Sequence, residues 1–260
     1  MASTLAVPGT GLRYTASAGT DAQRFPVLLL HPWFGCRAFW DRTAEQLAAP
    51  TCAVDWYALG DGDWSASSGP EGLAEAAVAL LDSIEAPQVD VVGNSVGGIV
   101  AQLLAARWPD RVRRLVLVGT GAALGGPPSR FGELVHAWVG GLADRRALAP
   151  RLVDALTAER RPHAERDGYV RTVLAADPDF LSAVLVSSRR LDLRRELNRI
   201  TAPTLVIRGE HDTARSPRHV AELLAGISES RAVEMAGCGH SPMIEQPQRF
   251  NDLVEDHLTR

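Results

Sequence analysis

Short, continuous apolar runs alternate along this chain with stretches of helical period. Val27-Leu28-Leu29-Leu30, Cys52-Ala53-Val54-Asp55, Val89 to Val92, Leu115 to Val118 and Thr204-Leu205-Val206-Ile207 carry hardly a polar side chain. That is the pattern of strands in a sheet covered on both faces. Leu12 to Ala18 reads as an earlier strand and Ala232 to Met235 as a short later one. Leu73 to Ile84 and Ile99 to Arg107 repeat their apolar positions at helical spacing. Pro87 and Pro109 stand where helices should stop, Pro203 just before a strand, and Pro217 where a helix opens. The pattern predicts an α/β fold: a mostly parallel central sheet with helices on both faces.

The alternation breaks from about Gly121 to Ile200. This stretch opens with Gly125-Gly126-Pro127-Pro128 and then carries only helical patterns: Phe131 to Val139, Leu148 to Ala158, Tyr169 to Ala175 and Phe180 to Leu197. The expectation is an α/β core built from residues 1–120 and 203–260, with residues 121–202 inserted as a helical cap. A cap would lie over the carboxyl ends of the strands, where such sheets place their ligands. The competing reading is a helical layer that flanks the sheet away from any substrate.

Composition narrows the functional classes. With 260 residues, 46% hydrophobic and 22% charged, the chain is an ordinary globular sequence able to bury a large core. Its formal net charge of −4 and lack of a basic stripe argue against nucleic acid as a partner. No apolar stretch approaches the roughly 18 residues that span a membrane, and Met1 to Thr20 lacks the charged head and apolar middle of a signal peptide, so a cytoplasmic protein is expected. Cys36, Cys52 and Cys238 are odd in number and lack metal-ligand spacing, which leaves no disulfide framework, metal or cofactor to expect. All 27 basic residues are arginine, which removes Schiff-base, pyridoxal-anchoring and P-loop lysine chemistry. A small-molecule substrate remains, handled by a monomer or homodimer.

The chemistry centres on Val91-Val92-Gly93-Asn94-Ser95-Val96-Gly97-Gly98, an apolar strand running through Gly-x-Ser-x-Gly into a helix. A serine on so tight a turn is strained, and glycines two residues to either side remove colliding Cβ atoms. Its hydroxyl is then presented at a helix N-terminus, where amides and the helix dipole can hold negative charge. Serine is a poor nucleophile at neutral pH and needs a histidine and an orienting acid. Asp212 follows the strand Thr204 to Ile207 within Arg208-Gly209-Glu210-His211-Asp212, with Glu210 as the rival acid. His240 lies in the turn-rich Gly237-Cys238-Gly239-His240-Ser241-Pro242. Val96 and Trp33 are the expected oxyanion amides, Pro32 being unable to donate. His31 is expected to fix the Trp33 loop. Apolar or nearby side chains nominated for the substrate pocket are Phe34, Asn94, Trp138, Tyr169, Phe180 and Met243. Cys36 and Cys238 fall near the site and are read as packed thiols.

These residues resemble the α/β-hydrolase superfamily over nearly the whole chain. Gly93 to Gly98 is similar to its nucleophile elbow, Gly209 to Asp212 to its acid loop, and Gly239-His240-Ser241-Pro242 to its histidine loop; Ser95, Asp212 and His240 also follow in the family's order. Asp55-Trp56-Tyr57 with Leu59 to Ser65 looks like the loop after its fourth strand. His31-Pro32 replaces the family's usual His-Gly, and Asn94 resembles the elbow of carbon–carbon bond hydrolases. The resemblance implies a serine hydrolase acting on an ester, thioester, lactone or activated carbon–carbon bond of a mid-sized apolar molecule. A non-hydrolytic enzyme on the same scaffold (cyclase, lyase or cofactor-free perhydrolase) and a receptor that has lost catalysis are the rivals, the intact Ser95, Asp212 and His240 weighing against the last.

Overall fold

The computed structural model describes residues 4–57, 69–124 and 130–260. Eight strands, β1 (Thr4–Ala6), β2 (Arg13–Ser17), β3 (Val27–Leu30), β4 (Thr51–Asp55), β5 (Val89–Asn94), β6 (Val112–Val118), β7 (Thr204–Gly209) and β8 (Ser230–Met235), form one sheet in the order β1-β2-β4-β3-β5-β6-β7-β8. β1 and β2 run antiparallel at one edge, with Arg13 opposite Asp55 and Ser17 opposite Thr51; every pairing from β4 across to β8 is parallel. Position in the sheet explains the residue patterns. The inner strands β3, β5 and β7 are buried at every residue, whereas β1 is exposed throughout.

Around the sheet lie α1 (Asp41–Gln46), α2 (Pro70–Ser83) and α3 (Val96–Arg107), then α4 (Arg130–Val139), α5 (Arg145–Asp154), α6 (His163–Ala175) and α7 (Pro178–Arg190), and finally α8 (Pro217–Gly226), α9 (Pro242–Glu245) and α10 (Pro247–Thr259). All of α3 except Arg107 is buried, so it has no polar face. α4 to α7 fill the chain between β6 and β7. Asp144 caps α5 by accepting the Arg146 amide at 3.0 Å, and Asp177 caps α7 by accepting the Asp179 and Phe180 amides at 2.8 and 3.1 Å.

The run from Phe180 to Leu197 is not one helix. α7 stops at Arg190, and Asp192 then makes an isolated antiparallel bridge with Ala123. The Asp192 carboxylate accepts both the Arg194 amide (3.1 Å) and its guanidinium (2.9 Å), a local bonding pattern that competes with helix. Gly125 to Pro128 and Leu59 to Ser65 lie outside the described residues. Among the described residues no helix is long and apolar enough to cross a membrane.

Candidate active site

Between β5 and α3 the chain turns at Ser95 with φ 56° and ψ −113°, in the left-handed region that L side chains rarely adopt. The flanking glycines make the turn possible: a methyl group on Gly93 would overlap the Gly97 carbonyl, and one on Gly97 would overlap the Leu30 carbonyl of β3. The strained residue is held from both sides. Its amide donates to the Val118 carbonyl at 2.9 Å, and its own carbonyl accepts from Thr120 Oγ1 at 2.8 Å.

His240, in the loop between β8 and α9, shares the buried interior with Asp212, which follows β7. Nδ1 donates to Asp212 Oδ2 at 2.8 Å, and the other carboxylate oxygen accepts the Ala214 and Arg215 amides at 2.8 and 2.9 Å. Burial alone would push this carboxyl upward; the imidazole and the two amides outweigh it and hold Asp212 below the ordinary carboxylate range. A carboxylate only accepts, so Nδ1 carries the proton and Nε2 is the basic nitrogen. Nε2 is buried without a hydrogen-bond partner among the described residues, and its bond to the Ser95 hydroxyl is not formed in this structure. The ring of Phe131, on α4, lies 6.0 Å from the imidazole, centre to centre. The rival acid Glu210 turns elsewhere and accepts the Gly237 amide at 3.0 Å.

The loop after β3 brings Trp33 beside the serine. His31 is fully buried and clamps this loop, with Nδ1 donating to the Pro32 carbonyl (2.9 Å) and Nε2 accepting the Trp56 amide (3.1 Å). The Tyr57 hydroxyl adds a second clamp, reaching the carbonyls of Trp33 and Gly35. Val96 opens α3, so its amide has no intrahelical acceptor. The Trp33 amide makes no backbone hydrogen bond to a described residue.

Ser95, Val96 and Trp33 line one cavity of about 990 Å³. Its other walls include Leu124, the α4 residues Phe131, Glu133, Val135, His136 and Val139, the α7 residues Leu185, Val186, Arg189 and Arg190, then Arg194, and the segment Thr213 to Ser216 with Arg218, His219 and Glu222. None of the six nominated pocket residues lines it. Asn94 is fully buried and ties loops together, its Nδ2 donating to the Val118 and His240 carbonyls, both at 3.0 Å, and its Oδ1 accepting from Ser241 Oγ at 3.3 Å. Phe34 packs edge-on against Trp138 at 5.2 Å, Tyr169 packs on Phe39 at 4.5 Å, and Met243 is wholly enclosed. Phe180 borders a small internal void shared with His31, Trp33, Trp56 and Tyr57. Large aromatic side chains gain most from complete burial, and here that gain places them in the core.

The match to the alpha/beta hydrolase family model extends over residues 27–253 and so takes in strands, elbow, acid and histidine loops together. The chain belongs to this family. Among its curated relatives, a pimeloyl-[acyl-carrier protein] methyl ester esterase of Neisseria meningitidis is 30% identical over 247 residues, covering 89% of this chain and 93% of that protein. A 2-hydroxymuconate semialdehyde hydrolase of Pseudomonas putida is 30% identical over 264 residues, covering 94% and 91%. The crystal structure of the enol-lactonase from Burkholderia xenovorans superposes with a TM-score of 0.84 at 25% identity, covering 99% of this chain and all of that one.

One further feature of this α/β-hydrolase escapes the sequence pattern. Glu245, on α9, accepts the Gly239 amide at 2.8 Å and the Ala158 amide at 2.6 Å, bridging the histidine loop to the chain just after α5. Burial raises its carboxyl. The thiols of Cys36 and Cys238 are packed as expected, and burial pushes them up to about 12 and about 11, away from the thiolate form.

Proposed function

We propose that this chain is a serine hydrolase that opens an ester, thioester, lactone or activated carbon–carbon bond of a mid-sized small molecule through an acyl-enzyme. Ser95 Oγ attacks the carbonyl carbon while His240 Nε2 takes its proton. Asp212 holds the tautomer and stabilises the imidazolium, and the Val96 and Trp33 amides receive the developing oxyanion. His240 then returns the proton to the leaving group, and water releases the acyl chain. Proton transfer requires Oγ and Nε2 to come within roughly 2.6–3.2 Å once substrate is bound.

The observation that carries this reading is the buried Asp212–His240 pair, whose Nε2 is left without a partner in a protein whose strained serine lines the large cavity. The apolar lining residues Phe131, Val135, Val139, Leu185 and Val186 support an apolar part of the acyl or leaving group, with residues 121–202 serving as the cap. The activities of the relatives span esters, an enol-lactone and a semialdehyde, and they support a hydrolase without choosing the bond. Three buried, unpaired thiols support a cytoplasmic setting. Turnover of a panel of p-nitrophenyl esters, thioesters and lactones tests the reading: Ser95→Ala should lose on the order of 10⁴-fold or more in kcat on whichever class is cleaved. Unchanged turnover in that variant would overturn it.

A further inference from the structure

The cavity lined by Ser95 is mixed along α4, where Glu133 and His136 stand among Phe131, Val135 and Val139, and is cationic where the end of α7 meets the loop after Asp212. Two of its arginines are already neutralised: Arg194 by Asp192, and Arg218 by Glu222 at 3.0 Å. Arg189, Arg190 and Arg215 have no carboxylate partner in an ion pair among the described residues. Arg189 sits in the last turn of α7, where the helix dipole favours a cation and by itself explains its presence. Arg215 has no such explanation. Its Nη1 donates to the adjacent Ala214 carbonyl at 2.6 Å, while its Nε is buried and has no acceptor among the described residues.

A buried, unsatisfied donor on a charged group is costly, and its persistence beside a cavity calls for an account. Asp212 does not accept from it: the hydrogen bonds of that carboxylate go to His240 and to the Ala214 and Arg215 amides. Burial lowers the guanidinium's proton affinity, the Asp212 charge opposes this, and the nearby Arg189 charge adds to the lowering, so the two arginines repel across the space they share. An anion between them would relieve that repulsion and fill the empty acceptor position.

We propose that Arg215 and Arg189 form a carboxylate-binding subsite of the cavity, so that the preferred substrates carry an ionised carboxylate in addition to the bond presented to Ser95, as half-esters of dicarboxylic acids or lactone acids do. A carboxylate fits better than a phosphate dianion, because the planar guanidinium fork matches two oxygens and the charge of Asp212 lies close by. This deepens the serine-hydrolase reading and rests on it for the position of the scissile bond.

The test compares the half-ester mono-p-nitrophenyl glutarate with neutral p-nitrophenyl valerate, which has the same acyl length. The ratio of their kcat/KM values should favour the half-ester in the wild-type enzyme and fall about tenfold or more in Arg215→Gln and in Arg189→Gln, chiefly through KM of the half-ester. Arg215→Lys should recover part of the ratio, since it restores the charge without the fork. Independently of turnover, glutarate should raise the melting temperature of Ser95→Ala but not of Ser95→Ala/Arg215→Gln. A ratio that stays near the wild-type value in both glutamine variants, or equal stabilisation by glutarate with and without Arg215, would overturn the subsite. If the ratio is unchanged while Ser95→Ala abolishes turnover, the subsite alone falls. If the wild-type enzyme cleaves neither ester, the hydrolase reading fails and the glutarate measurement still decides the subsite.

Discussion

Asn94 joins three segments that come together only in the folded state: β6 through the Val118 carbonyl, the histidine loop through the His240 carbonyl, and the start of α9 through the Ser241 hydroxyl. It therefore sets the position of His240 relative to the elbow without lining the cavity. Asn94→Ala should cost about 1–3 kcal/mol by stranding buried carbonyls, and should lower kcat. Asn94→Asp should be worse in both respects although it is isosteric, because it turns a carboxylate oxygen toward two carbonyls. Chemical denaturation and ester kinetics on the pair check this, and equal tolerance of both changes would rule out the donor role. At this scale the Ser95 turn and the Asp212–His240 pair were legible because the backbone strain of the turn demands glycines at fixed spacing and the three residues follow one another in a recognisable order. The role of Asn94 was not, since its partners lie 24 and 146 residues away in sequence.

Two elements decide how the histidine loop is held and what the cavity presents. α9 is a single turn, yet its Glu245 spans the gap between the Gly239 and Ala158 amides. Glu245→Ala should leave both amides without an acceptor, lower stability by about 1–3 kcal/mol and speed hydrogen exchange at those two positions specifically. Unaltered exchange at Gly239 and Ala158 would show that the bridge does not hold the loop. α4 supplies Phe131, Val135 and Val139, spaced four apart on one face, to the cavity wall. That spacing is visible in the sequence, and it locates the pocket better than aromatic character does. Phe34, Trp138 and Phe180 were drawn to the core by the same apolarity that made them candidates. β1 left no signal, being three exposed residues stabilised only by pairing with β2.

Across the whole molecule, the parallel sheet brings together loops that leave the carboxyl ends of β3, β5, β7 and β8 and carry Trp33, Ser95, Asp212 and His240. The sheet was legible because fully buried strands read as unbroken apolar runs. How the helices between β6 and β7 meet was not, because it depends on contacts such as the Asp192 turn that periodicity does not encode. The account requires that this assembly make one hydroxyl, and no thiol, uniquely reactive. Intact-mass and peptide mass spectrometry after fluorophosphonate treatment measures that directly. A single adduct on the peptide containing Ser95, absent from Ser95→Ala and strongly slowed in a His240→Ala variant, is the predicted result. Labelling at another residue, or labelling of Ser95 at the same rate without the His240 imidazole, would contradict it.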